Sequence, residues 1–198
     1  MRTDLRMRLL ALRHRDEQVR DELSADGSLY DGYHPRMEEV HRQNALQLRT
    51  VIDEVGWPNE ELAGPDGAEA AWLVAQHAIG EPDFMRNCRT LLEEASSQGK
   101  VPAWQFAYID DRIRVCEGKP QRFGTQIDLR PDGAVVSELE SPQEVDSRRR
   151  AIGLPPLAIA LTRFQGNQLP SSADYVAKEE AGRLWRQKVG WLERRTAA

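Results

Sequence analysis

Apolar side chains recur at three- and four-residue steps as far as Gly118, and the chain then switches to alternation. Leu5, Leu9, Leu12, Val19 and Leu23 share one stripe with Asp16, which predicts a first helix from Asp4 to Ser24 that stops near SADGS. The glycine-rich, polar LSADGSLYDGYHP reads as a loop. Pro35 suits the first turn of a second helix running to Val55, with Met37, Leu48, Val51, Ile52 and Val55 on its apolar side and His41 and Asn44 among them. GWPNEELAGPDG, Gly56 to Gly67, ends that helix on a glycine and contains Pro58 and Pro65, so Trp57 is expected in a turn or loop packed back on the helices. An alanine-rich third helix is predicted from about Asp66 to Ile79, where small side chains permit close packing. EPDFMRNCRTLLEEASSQG forms a fourth, with Phe84, Cys88, Leu91 and Ala95 inward and Gly99 as its stop. PAWQFAYIDDRIRVCEG forms a fifth, opened by Pro102, with Trp104, Ala107, Tyr108 and Val115 inward and Asp111 on that face.

Beyond Gly118, RPDGA is a turn signal between RFGTQIDL and AVVSEL, which predicts one β-hairpin at about 121–139. Gly124 then falls inside a strand, where a glycine marks a bulge or a close approach of backbone. Ser141, Pro142 and Glu144 have the spacing of a capping box for a short helix, and LPPLAIALTRFQG continues as another helical piece. The last segment reads as an amphipathic helix capped by Ser172 or Asp174, with Val176, Leu184, Trp185, Val189 and Leu192 along one side. The fold class predicted is mainly α, an irregular helical bundle with one β-hairpin. Residues 1–168 are expected as one domain and 169–198 as a C-terminal helical extension.

Charge and composition narrow the function classes. The 198 residues carry 27 basic and 32 acidic side chains, mostly interleaved, for a net charge of −5, and such a surface lacks the concentrated basic face of a nucleic-acid binder. Arg6, Arg8 and Arg13 interrupt the N-terminal apolar run, so no signal peptide or membrane span is expected and the protein is read as cytoplasmic. Cys88 and Cys116 have no metal-like spacing and are expected as buried, reduced thiols.

Candidate chemistry lies in polar groups that the helical pattern turns inward: Asp16, His41, Asn44, His77 and Asp111. Each has an alternative as a satisfied structural hydrogen bond, because buried polar groups are nearly always paired. His77 is the leading general acid or base, with Asp111 to orient it and Asp16 as a further catalytic carboxylate. Its alternative is a helix-terminal imidazole bonded to the last carbonyls. Arg20 pairs with Asp16 four residues earlier or anchors an anion. Arg112 is a substrate anchor or half of a structural ion pair. Gln121, Thr125 and Gln126 offer neutral donors and acceptors to a polar ligand. His34, His41, His77 and one carboxylate could in principle ligate a metal, but no His-x3-His or Glu-x-x-His pattern fixes two ligands on one face, so neither metal nor other cofactor is predicted.

Taken in order, DEQVR, HRQNALQLRTVIDEVGWP, AAWLVAQHA, YIDDRIRVCEGKPQRFGTQ and VDSRRRAIGLPPL resemble an uncharacterised bacterial family, common in actinomycetes and known only as a domain of unknown function. The likeness spans about residues 5–160, with GWP, QHA, DR and YGTQ as its motifs. The matching positions are Asp16, Arg20, Asn44, Gly56, Trp57, Pro58, Gln76, His77, Asp111, Arg112, Gln121, Gly124, Thr125 and Gln126. Phe123 stands where the family usually has tyrosine, and His41 where aspartate is usual. The resemblance implies a shared pocket and supplies no reaction.

The expectation is therefore a small cytoplasmic enzyme doing acid/base chemistry, hydrolysis or elimination, on a small polar metabolite, with Asp16, His77 and Asp111 catalytic and Arg20, His41, Asn44, Arg112, Gln121, Thr125 and Gln126 binding substrate. No nucleic-acid or membrane partner is expected. The competing readings are a non-catalytic interaction module and a protein of secondary metabolism that sequesters a small molecule. Trp185 and Trp191, beside Arg183, Arg186, Lys188, Arg194 and Arg195, make the C-terminal helix the surface for docking on the domain or for homodimerisation.

Overall fold

A computed structural model describes residues 1–30 and 32–193. The chain is mainly helical, with a two-stranded antiparallel hairpin and a C-terminal helix, as its periodicity predicts. It divides into two compact units, one ending at Gln105 and one beginning at Phe106.

The first unit contains α1 (Thr3–Ala25), α2 (Pro35–Val55), α3 (Glu60–His77) and α4 (Pro82–Ser97). Its core is the predicted stripes: Leu5, Leu9, Leu12 and Leu23 of α1, Met37, Leu48 and Val51 of α2, and Ala70, Ala71, Val74 and Ala75 of α3. Small residues let α1 and α3 approach closely. A Cβ on Gly67 would lie 3.0 Å from Ala63 Cβ and 3.4 Å from Arg6 Cα. A polar tie joins α2 to α1, where buried Asn44 donates through Nδ2 to Leu12 O at 2.9 Å. Pro35 opens α2 as predicted, and His34 accepts from Arg36 N as its cap. A short helical turn ahead of a kink precedes the predicted start of α3 at about Asp66. Asn59 caps it by accepting from Leu62 N at 3.0 Å, and the chain tolerates Pro65 because Gly64, at φ 72°, has already kinked the helix there.

The helix α5 (Ala103–Cys116) leads into the second unit, which holds β1 (Ile127–Arg130), β2 (Gly133–Val136), α6 (Val145–Ala151), α7 (Leu157–Thr162) and α8 (Ser172–Val189). The strands pair from Ile127 with Val136 to Arg130 with Gly133. They are shorter than the alternation predicts, and Gly124 lies before β1 instead of within it. The reason is local: main-chain N–H groups at 122, 123 and 125 point to a carboxylate and are not offered to a partner strand. Ser141 makes no side-chain cap bond; a 3₁₀ turn (Pro142–Glu144) closes there through Glu144 N to Ser141 O at 3.0 Å. At α8 the cap is Ser171, whose hydroxyl accepts from Asp174 N at 3.2 Å. No residue of α8 is buried, and Val176 and Leu184 keep 66% and 52% of their surface exposed, but the Tyr175 hydroxyl donates to Asp128 at 2.8 Å and Trp191, just past the helix, is 5% exposed. Arg194 and Arg195 lie outside the described residues. Among those residues no helix is long and apolar enough to cross a membrane.

Gly124 is a position where backbone freedom is needed. Its φ is +62°, and a Cβ there would meet Leu139 and Leu157 side-chain carbons at 3.3 Å. The left-handed conformation alone costs an L-residue about 1–2 kcal/mol, so Gly124→Ala is expected to lower unfolding stability by at least that amount in a urea titration.

Candidate functional site

The stripe that buries α1's leucines also buries Asp16, and α2 and α3 each bring an imidazole to it. His77, the last residue of α3, holds its Nδ1 2.6 Å from Asp16 Oδ2. His41 places Nε2 3.1 Å from the same oxygen, although this approach is not aligned as a hydrogen bond. The two rings are tilted, with centroids 5.0 Å apart. On its other side, His41 Nδ1 lies 2.7 Å from the Tyr33 hydroxyl and the two rings stack. Arg20 Nε stands 3.8 Å from Asp16 Oδ1, an oxygen that makes no hydrogen bond among the described residues. The Asp16 side chain is 2% exposed, His41 7%, His77 16% and Arg20 44%, so the cluster reaches the surface of its unit through His77 and Arg20.

Burial pushes the Asp16 carboxyl upward, but the nearby imidazoles of His41 and His77 outweigh it and hold the group well below its ordinary 3.8. The alignment at His77 makes it the firmer of the two contributors. Asp16 is thus a buried anion held between two imidazoles. Asn44 neighbours this cluster in sequence; its Nδ2 donates to Leu12 O, while its buried Oδ1 makes no hydrogen bond among the described residues.

The remaining predicted residues gather in the second unit. Asp111 is fully buried and accepts from Arg122 N at 2.7 Å, Phe123 N at 3.2 Å, Thr125 N at 2.9 Å and Thr125 Oγ1 at 3.0 Å. Burial pushes this carboxyl above its ordinary range, and the four donors act against that rise. Gln121 clamps the same loop, accepting from Gln126 N and donating to Gln126 O, both at 2.9 Å. Gln126 Oε1 accepts from Arg112 Nε at 3.0 Å, and its Nε2 donates to Thr125 Oγ1 at 3.0 Å. The outer carbonyls of the loop face a cation: Arg149, 2% exposed, donates to Phe123 O at 2.7 Å and to Pro155 O at 2.6 Å. The loop is held by an anion on its amides and a cation on its carbonyls. These bonds account for Asp111, Gln121, Thr125 and Gln126 as parts of a locally closed network.

Two members of these clusters carry no signal in the sequence pattern. Tyr33 sits in the YDGYHP loop, where no periodicity marks an inward position, and Arg149 looks like part of an exposed Arg-Arg-Arg run. Cys88 and Cys116 are buried and reduced, as predicted, and burial pushes their thiols up to about 12 and about 11, which leaves no thiolate for covalent chemistry near neutral pH.

Fold and site together define a mainly helical protein with a buried carboxylate bridging two imidazoles beside an arginine. The chain belongs to a family of unknown function, DUF6624, whose model matches residues 3–166. No curated protein and no solved structure matches it.

Proposed function

We propose that this chain is a small cytoplasmic enzyme performing acid/base chemistry, hydrolysis or elimination, on a polar metabolite that carries an anionic group. The observation that carries this reading is the contact of 2.6 Å between buried Asp16 and His77 Nδ1. A carboxylate on Nδ1 fixes the tautomer and orientation of an imidazole, and proton exchange with a substrate then runs at Nε2. Asp16 takes the orienting role in this scheme. His41, steadied by Tyr33, supplies a second imidazole, and the partly exposed Arg20 guanidinium supplies the anion contact.

Incubating the protein with an extract of polar metabolites, followed by mass spectrometry, tests the proposal with no substrate chosen in advance. The expected result is one metabolite consumed with matching product, and a loss of about 100-fold or more in that rate for His77→Gln. Equal turnover by His77→Gln, or no turnover by the parent chain, contradicts it. A second reading, an interaction module, is favoured by the uncovered Val176 and Leu184 of α8. It predicts self-association or partner binding that Val176→Asp weakens and His77→Gln leaves unchanged.

A further inference from the structure

The cluster that serves the proposed chemistry also has the composition of a metal site. Among the described residues, Asp16, His41 and His77 present donor atoms that all lie within 4.8 Å of one another. They come from three different helices, α1, α2 and α3, so their convergence is a property of the packed unit and not of a local turn. Sequence spacing therefore could not show it: no pair of these residues shares a helix face.

We infer that Asp16 Oδ2, His41 Nε2 and His77 Nδ1 bind a divalent transition-metal ion. This rests on the same site as the acid/base reading and adds to it the cofactor that the site takes. Metal–nitrogen and metal–oxygen bonds of about 2.0–2.2 Å put neighbouring donors about 3 Å apart. The Asp16 oxygen is 2.6 Å from His77 Nδ1 and 3.1 Å from His41 Nε2, close to that spacing before any adjustment. A donor set of two imidazoles and one carboxylate suits zinc, iron(II) or manganese(II), and three protein ligands leave positions for water or substrate.

The surroundings fit this assignment. His41 Nε2 faces the carboxylate without an aligned hydrogen bond, while its Nδ1 meets the Tyr33 hydroxyl at 2.7 Å. With Nδ1–H donating to Tyr33, Nε2 presents its lone pair to the cluster, the outer-sphere arrangement that orients ligating histidines. Arg20 meets Asp16 through Oδ1, at 3.8 Å, on the oxygen that the ion does not need. On binding, the ion takes the place of the proton on His77 Nδ1, which moves to Nε2 when the ring starts neutral and goes to solvent when it starts as imidazolium, so the carboxylate anion and two neutral imidazoles remain as ligands. A water on the ion would then share the proton handling assigned above to His77.

Tag-free protein titrated with zinc chloride and, separately, manganese chloride tests the inference by calorimetry and by metal analysis after gel filtration. One equivalent bound per chain is expected for at least one of the two ions. His41→Gln and His77→Gln should each weaken binding by about 100-fold or more, and Tyr33→Phe, which keeps every ligand, by about 10-fold. His34→Gln should bind as the parent does, because His34 caps α2 outside the cluster. Circular dichroism establishes which variants fold; if either ligand variant does not, Tyr33→Phe set against His34→Gln decides. Binding unchanged in the cluster variants, or no stoichiometric binding of either ion, overturns the assignment. The two proposals fail separately: metabolite turnover by a chain that binds neither ion removes the metal alone, and a bound ion without turnover removes the acid/base reading alone.

Discussion

Replacing Asp16 by alanine is expected to destabilise the protein by about 3–5 kcal/mol, the cost of removing one partner from a buried charged pair. The side chain is 2% exposed and bridges helices α1, α2 and α3 through His41 and His77. Its loss leaves two imidazoles in a space shaped for an anion. Asp16→Asn keeps the shape and removes the charge, so it separates packing from electrostatics; a milder loss is expected, with turnover still abolished. The acid limb gives an independent reading. A carboxyl whose folded-state pKa lies below its unfolded value contributes stability that is present above the unfolded value, here 3.8, and lost as pH falls below it. Unfolding free energy should therefore fall more steeply below about pH 4 in the parent chain than in Asp16→Asn, as urea midpoints across that range would show. Parallel curves would mean that Asp16 is not held as an anion by the imidazoles.

Asp111→Ala is expected to be at least as damaging. Four donors of residues 122–125 converge on this carboxylate, and each buried donor left without an acceptor costs about 1–3 kcal/mol. A loss of about 4 kcal/mol or more is the expected outcome in chemical denaturation, with amide exchange at Arg122, Phe123 and Thr125 accelerated first. Asp111→Asn should fall between parent and alanine variant, because its amide turns an NH2 toward N–H groups that need an acceptor. The effect is structural in this account, so stability and loop protection should change together. Loss of turnover without loss of stability would instead give Asp111 a direct part in the chemistry.

Much of the fold was legible because burial imposes a period. The leucine stripe of α1 and the apolar side of α2 gave those helices, Pro35 gave the start of α2, and Arg-Pro-Asp-Gly gave the hairpin turn. The same stripes marked Asp16, His41 and Asn44 as inward. What periodicity does not encode is which inward groups meet. Asp16 and His77 are separated by 61 positions and meet only because α1 packs on α3, so the sequence does not mark Asp16 as the carboxylate that His77 contacts. Loop residues are harder still: Tyr33 and the 121–126 segment follow no repeat, and Arg149 is indistinguishable in sequence from Arg148 and Arg150 until the carbonyls of Phe123 and Pro155 are seen to close on it. At α3 the boundary differs by one capped turn: Asn59 starts a short helical stretch that Gly64, at φ 72°, separates by a kink from the helix expected from about Asp66.

The most direct test of the central claim, that Asp16 and the two imidazoles act as one unit, is proton–nitrogen NMR of the histidine rings in the metal-free protein. The geometry predicts a proton on His77 Nδ1, carried far downfield by its contact of 2.6 Å with the carboxylate and shifted back or lost by exchange in Asp16→Asn. A His77 Nδ1 without a proton, or a resonance that Asp16→Asn leaves in place, would contradict it.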